Sequence, residues 1–63
     1  MEYISISDMN TAIEKFLDTY WGTAIGESIY RKRANTVDDD YYGILEIYNE
    51  IKEYVAWKQD VIL

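Results

Sequence analysis

Hydrophobic residues recur every three or four positions along the C-terminal part of the chain. At about 100° per residue this spacing gathers them on one side of a helix, and we predict a helix over residues 39–59. Its apolar positions are Tyr41, Ile44, Ile47, Tyr48, Ile51, Tyr54 and Val55. The run Asp38–Asp40 comes just before them, and carboxylates at a helix start accept hydrogen bonds from unpaired backbone N–H groups. This run therefore predicts a capped helix start.

The same periodicity predicts two shorter helices in the first half of the chain. One covers residues 8–21, with Ser7 and Asp8 as candidate N-cap residues. Its apolar side consists of Met9, Ala12, Ile13, Phe16, Leu17 and Tyr20. The other covers residues 23–34 and directs Ala24, Ile25 and Ile29 inward.

Two glycines lie near the junction of these helices. Gly22 would cost about 1 kcal/mol in a helix interior, and the apolar side changes direction after it, so we predict a break near Trp21-Gly22. One bent helix over residues 8–34 is the alternative. Gly26 would let a neighbouring backbone come close.

The ends of the chain are less regular. Alternation of apolar and polar residues over 1–7 predicts a short extended N-terminal arm. The apolar tail Val61-Ile62-Leu63 needs burial in this chain or in a partner. The sequence as a whole predicts one small all-α domain over residues 1–63, a three-helix bundle with a short extended arm.

Composition narrows the chemistry that the chain can perform. Of its 63 residues, 12 are acidic, 6 are basic and none is Cys or His, and the net charge is −6. The usual nucleophiles, proton shuttles and soft-metal ligands are therefore missing, and no catalytic motif is present. We predict a protein that is not an enzyme and has no cofactor and no metal site.

Size and charge also shape the expected partners. A domain this small is only marginally stable, and self-association is one way to bury more surface, so we predict a homodimer. The negative charge disfavours direct binding to nucleic acid and to anionic membranes. Without a membrane span or a signal peptide we expect a cytoplasmic protein.

Two short charge runs have competing interpretations. Asp38–Asp40 could bind a hard cation, but it lacks the ligand spacing of a calcium loop, so helix capping is favoured. Arg31–Arg33 could bind phosphate, yet three cations at the end of a predicted helix also complement its dipole. We favour the second interpretation, with pairing to the aspartates or to a second subunit.

An acidic stripe follows the polar side of the last predicted helix. It contains Asp39, Glu46, Glu53 and Asp60, spaced by seven, with Glu50 one turn after Glu46. The stripe is about 30 Å long at 1.5 Å per residue. An ordinary solvated helix surface is the alternative interpretation.

Trp57 makes this stripe unusual. It projects between Glu53 and Asp60, and Tyr42 points to the same side. An exposed aromatic anchor flanked by carboxylates suits a basic protein surface. The alternative is that Trp57 packs on its own chain, for example on the N-terminal arm. The candidate partner-binding residues are Asp38, Asp39, Tyr42, Glu46, Glu50, Glu53, Trp57 and Asp60.

The overall profile resembles that of small accessory proteins with which phages and mobile elements block host enzymes, some of which mimic the charge of DNA. This resemblance rests on composition and implies a location in the host cytoplasm. The leading hypothesis is an antagonist or regulator that occludes a basic, nucleic-acid-binding surface of a host protein. The alternative is a homo-oligomeric structural or regulatory helical module that buries Trp57 and residues 61–63.

Overall fold

Three α-helices account for most of the chain in the computed structural model, which describes the backbone of residues 3–61 and the side chains of residues 3–58. The helices are α1 (Ile6–Tyr20), α2 (Ala24–Ala34) and α3 (Tyr41–Val61). No strand occurs within residues 3–61. The predicted three-helix bundle is therefore confirmed, and the single bent helix over 8–34 is wrong.

The core lies where the apolar sides of the three helices meet. Its buried hydrophobic residues, among those that the structure describes, are Met9, Ile13, Phe16, Ile29, Ile44, Ile47 and Ile51. α1 and α3 run parallel, since Ile4 lies beside Tyr41 at one end and Tyr20 beside Tyr54 at the other. α2 packs against both of them and completes the bundle.

Two residues that were expected to face inward are exposed. Ala24 lies about 140° around α2 from the buried Ile29, at 100° per residue, and therefore points to solvent. Val55 is 37% exposed because it lies a turn beyond Ile51, the last buried residue among the described side chains of α3.

The first helix begins two residues earlier than predicted. The hydroxyl of Ser5, not that of Ser7, accepts a hydrogen bond from the backbone N–H of Asp8 at 3.0 Å. This cap lets Ile6 join the helix and pack against the core. The extended arm is consequently shorter than residues 1–7, and Met1 and Glu2 lie outside the described residues.

The turn between α1 and α2 forms at the predicted glycine. Gly22 has φ +87°, a conformation that side chains disfavour. Thr23 then caps α2 by accepting a hydrogen bond from the Gly26 N–H at 3.1 Å. A Cβ on Gly26 would overlap the backbone carbonyl of Tyr20. Gly26 therefore permits the close backbone approach that was predicted.

The connection to α3 explains why this helix begins at Tyr41 and not at residue 39. The Asp40 carboxylate accepts a hydrogen bond from the Gly43 N–H at 3.2 Å, which makes Asp40 the N-cap. Asp38 and Asp39 form the preceding turn. Of the three aspartates, Asp40 performs the predicted capping role.

Candidate functional site

The outward side of α3 brings four of the predicted site residues together. Tyr42, Glu46, Glu53 and Trp57 fall within about 60° of the helix circumference at 100° per residue. All four are exposed, Tyr42 by 79% and Trp57 by 57%. We call these four residues the α3 face. It is opposite the buried Ile44 and Ile51, so the packing that forms the core also directs this face to solvent.

Trp57 is held in place by the aromatic side chain that precedes it by one turn. Its ring centroid is 5.9 Å from that of Tyr54, and the two rings are tilted by 34°. Tyr54 in turn makes edge contacts with Phe16 at 5.9 Å and Tyr20 at 5.4 Å. Trp57 is thus the outermost ring of a cluster rooted in the core, and most of its surface stays open.

The described part of the N-terminal arm, residues 3–5, packs at the other end of α3 and does not cover Trp57. Tyr3 stacks on Tyr41 with the ring centroids 5.6 Å apart. The Tyr41 hydroxyl donates a hydrogen bond to the backbone carbonyl of Ile4 at 2.8 Å. The alternative in which Trp57 packs on the arm is therefore wrong for the described arm residues, since Tyr3 and Ile4 lie beside Tyr41.

Glu50 is already engaged within the chain. Both of its carboxylate oxygens accept hydrogen bonds from the Lys32 ammonium, at 2.6 and 2.8 Å. The pair joins α2 to α3 at the edge of the α3 face. An exposed ion pair of this kind contributes about 0–1 kcal/mol, so it is open to exchange with a stronger cationic partner.

Asp38 and Asp39 lie beyond the N-terminal end of α3 and are not part of its face. Asp38 pairs with the Arg33 guanidinium at 3.0 Å. The same guanidinium donates hydrogen bonds to the Asn10 side chain at 3.0 Å and to the Thr36 carbonyl at 3.1 Å. The predicted pairing between the basic run and the aspartates is confirmed for Arg33 and Asp38, and it has a structural role.

The side chain of Asp60 lies outside the described residues, and so do Ile62 and Leu63. Val61 is described only as the last backbone position of α3. The predicted roles of these residues stay predictions.

A groove borders the α3 face on the side of α2. Its volume is about 310 Å³, and its lining includes Lys32, Gly43, Glu46, Ile47 and Glu50. Ile47 supplies an apolar floor, while Glu46 and Glu50 supply carboxylates at the rim. A long basic side chain has matching chemistry, since its stem is apolar and its head is charged.

A second aromatic feature was missed at the sequence level. Trp21 and Tyr30 are 64% and 52% exposed, and their rings meet edge to face with centroids 5.4 Å apart. Trp21 is the residue that ends α1, where helical periodicity carries no information about its direction. The position of Tyr30 between the inward and outward sides of α2 was the available signal.

Metal clusters, buried charges and membrane-spanning helices are each absent from the part of the chain that the structure describes. Residues 3–58 contain no cluster of three or more acidic residues placed to hold a metal ion, and none of their charged side chains is buried. Within the same part of the chain no helix is long and apolar enough to cross a membrane.

Comparison of the chain with protein-family models, with curated proteins and with solved structures found no match.

Proposed function

We propose that this protein is a non-enzymatic antagonist or regulator that occludes a basic, nucleic-acid-binding surface of another protein. The observation that carries this proposal is Trp57, which is 57% exposed beside Glu53 on the outward side of the longest helix. Large exposed aromatic residues are enriched at the centres of protein interfaces, where they fill pockets or stack on cations.

The negative charge of the chain favours a basic partner surface. The chain carries a net charge of −6, and Glu46 and Glu53 form no ion pair with any described residue. Complementary potentials accelerate encounter with a basic surface and weaken as salt screens them. The α3 face would thus compete with nucleic acid for the same positive groove.

The groove between α2 and α3 gives the partner a place to insert a side chain. An arginine lying on Ile47 could contact Glu46 directly and take Glu50 from Lys32. A planar guanidinium binds a carboxylate through two parallel hydrogen bonds, which the Lys32 ammonium cannot match. The intramolecular ion pair would then hold the carboxylate in position until the partner arrives.

A phage or mobile-element origin belongs to the same proposal and rests on composition alone. In that case the site of action would be the cytoplasm of the host cell.

Charge reversal on the α3 face tests the proposal. We expect immobilised wild-type protein to capture a basic protein from a lysate of the cells in which it occurs, and double-stranded DNA to release that protein. The Glu46→Lys/Glu53→Lys variant should lose the capture, because lysines in place of the two unpaired carboxylates repel a basic surface. Glu50 is left unchanged so that its ion pair with Lys32 stays intact.

The control places the same charge change elsewhere. Glu14 and Asp18 are exposed on α1, away from the α3 face, and Glu14→Lys/Asp18→Lys should capture the partner as the wild type does. If both variants lost the partner equally, the effect would be due to net charge and not to the α3 face. If the α3 variant still captured the partner, the proposed site would be contradicted.

The homo-oligomeric module stays the second candidate, because Val55 and Trp57 are apolar side chains exposed on the same helix. In that case Trp57 would be buried between copies. The solution mass of the Trp57→Ala variant distinguishes the two candidates, since only the module requires a self-association that this substitution abolishes.

A further inference from the structure

The outward side of α2 carries a pattern that the proposed function does not use. Ala24, Glu27, Arg31 and Ala34 follow one another at spacings of three, four and three residues. All four are exposed. Such spacing forms a straight stripe along a helix and is the spacing by which two helices pack side by side.

The stripe is symmetric in position and complementary in charge. Glu27 and Arg31 each lie two residues from Ile29, on opposite sides, and Ala24 and Ala34 each lie five residues from it. When two copies of α2 pack antiparallel about a two-fold axis, Glu27 faces Arg31 of the other copy and Ala24 faces Ala34. The contact is then reciprocal, as an isologous interface requires.

The two charges of the stripe are free to make this contact. Neither Glu27 nor Arg31 forms an ion pair with another described residue, although they are four residues apart on one helix. Their neighbours Lys32 and Arg33 differ, since Lys32 pairs with Glu50 and Arg33 with Asp38. Two cations of the basic run therefore form ion pairs within the chain, and the third, Arg31, is directed outward.

Aromatic side chains border the stripe and provide apolar area. Trp21 and Tyr30 are mostly exposed, and together with Glu27, Arg31 and Ala34 they line a hollow of about 430 Å³. The alanines keep the helix surface low, which allows a second helix to approach closely. Trp and Tyr beside such a surface are typical of interface anchors.

We propose that the protein forms a two-fold symmetric dimer through α2, with a second copy of the chain as the occupant of this stripe. The α3 face is a poor alternative for self-association, because a two-fold contact there would bring Glu46 and Glu53 against like charges. α2 has 11 residues and spans about 16 Å at 1.5 Å per residue, so the contact area is small. We therefore expect a weak dimer in equilibrium with monomer, with an average mass that rises with protein concentration. This inference is independent of the proposed function, since the α3 face would remain open on both copies.

Sedimentation equilibrium across a range of concentrations, with single and paired charge reversals, tests the dimer. We expect reversible dimerisation of the wild type and an increase in its dissociation constant of at least about tenfold in Glu27→Arg and in Arg31→Glu, because each places like charges opposite one another twice. Mixing these two variants should restore a dimer, since every charge in the mixed pair then meets its opposite. The double variant Glu27→Arg/Arg31→Glu should dimerise as well.

Recovery of mass in the mixture also shows that both single variants are folded, and circular dichroism of each one checks this directly. Glu14→Arg on α1 makes the same change in net charge as Glu27→Arg and should leave the dissociation constant unchanged. A wild type that stays monomeric, single reversals that dimerise normally, or a mixture that stays monomeric would each overturn the proposal.

Discussion

Replacing Ile44 by alanine is expected to lower the free energy of unfolding by about 2–5 kcal/mol, the usual range for removing a fully buried isoleucine side chain. Ile44 is 0% exposed and lies in the cluster that joins all three helices. The truncation removes apolar contacts and leaves a cavity that the two neighbouring helices cannot fill without moving. Urea unfolding followed by circular dichroism would measure the loss.

The size of the domain makes this loss decisive. At about 0.05–0.15 kcal/mol per residue, a chain of this length has about 3–9 kcal/mol of stability in all, so the variant should be partly or mostly unfolded in buffer. Val37→Ala is the matched control, because Val37 is 67% exposed, and its effect should stay within about 0.5 kcal/mol. An Ile44 variant with an unchanged urea midpoint would contradict the assigned core.

Replacing Trp57 by alanine is expected to weaken partner binding by about 2–4 kcal/mol, or roughly 30- to 1,000-fold, as for a central aromatic anchor. The folded protein should lose little stability, because most of the indole surface is exposed and its ring contact within the described structure is with Tyr54. Calorimetric titration of the captured partner with wild-type and variant protein gives the two affinities.

Trp21→Ala provides the control for this variant. Trp21 is 64% exposed and borders the α2 stripe, not the α3 face. Its replacement should leave the partner affinity unchanged and weaken self-association. Trp57→Ala should weaken partner binding and leave self-association unchanged. Equal effects of the two substitutions on partner binding would show that general aromatic exposure, not the α3 face, is responsible.

Much of the fold could be predicted because its determinants are local. The three/four spacing of Ile44, Ile47 and Ile51 requires a helix with one buried side, whatever packs on it. The break at Gly22 follows from a backbone conformation that other residues disfavour. These features do not depend on how the helices are arranged.

The predicted starts of α1 and α3 were less accurate because several neighbouring residues can each act as an N-cap. Ser5 and Ser7 can both cap a helix, and the packing of Ile6 against the core favours the earlier start. Asp38, Asp39 and Asp40 are identical in type, and Asp38 is drawn away by Arg33. In each case a tertiary contact selects among equivalent local choices.

The sequence predicted which residues share the outward side of α3, but not which of their side chains are already paired within the chain. Helical phase alone places Glu46, Glu53 and Trp57 on one side of α3. It cannot show that Glu50 meets Lys32, because that contact depends on where α2 lies. Nor can it show that Trp21 and Tyr30 converge, since they belong to two elements joined by a turn.

The most direct test of the central claim is the solvent accessibility of Trp57, measured by acrylamide quenching in a Trp21→Phe variant that leaves one tryptophan in the chain. In the free protein we expect emission typical of a hydrated indole, strong quenching, and no dependence on protein concentration. Addition of the captured basic partner should shift the emission to the blue and protect the ring. A Trp57 that is shielded in the free protein, or that stays equally accessible after the partner has bound, would contradict the account.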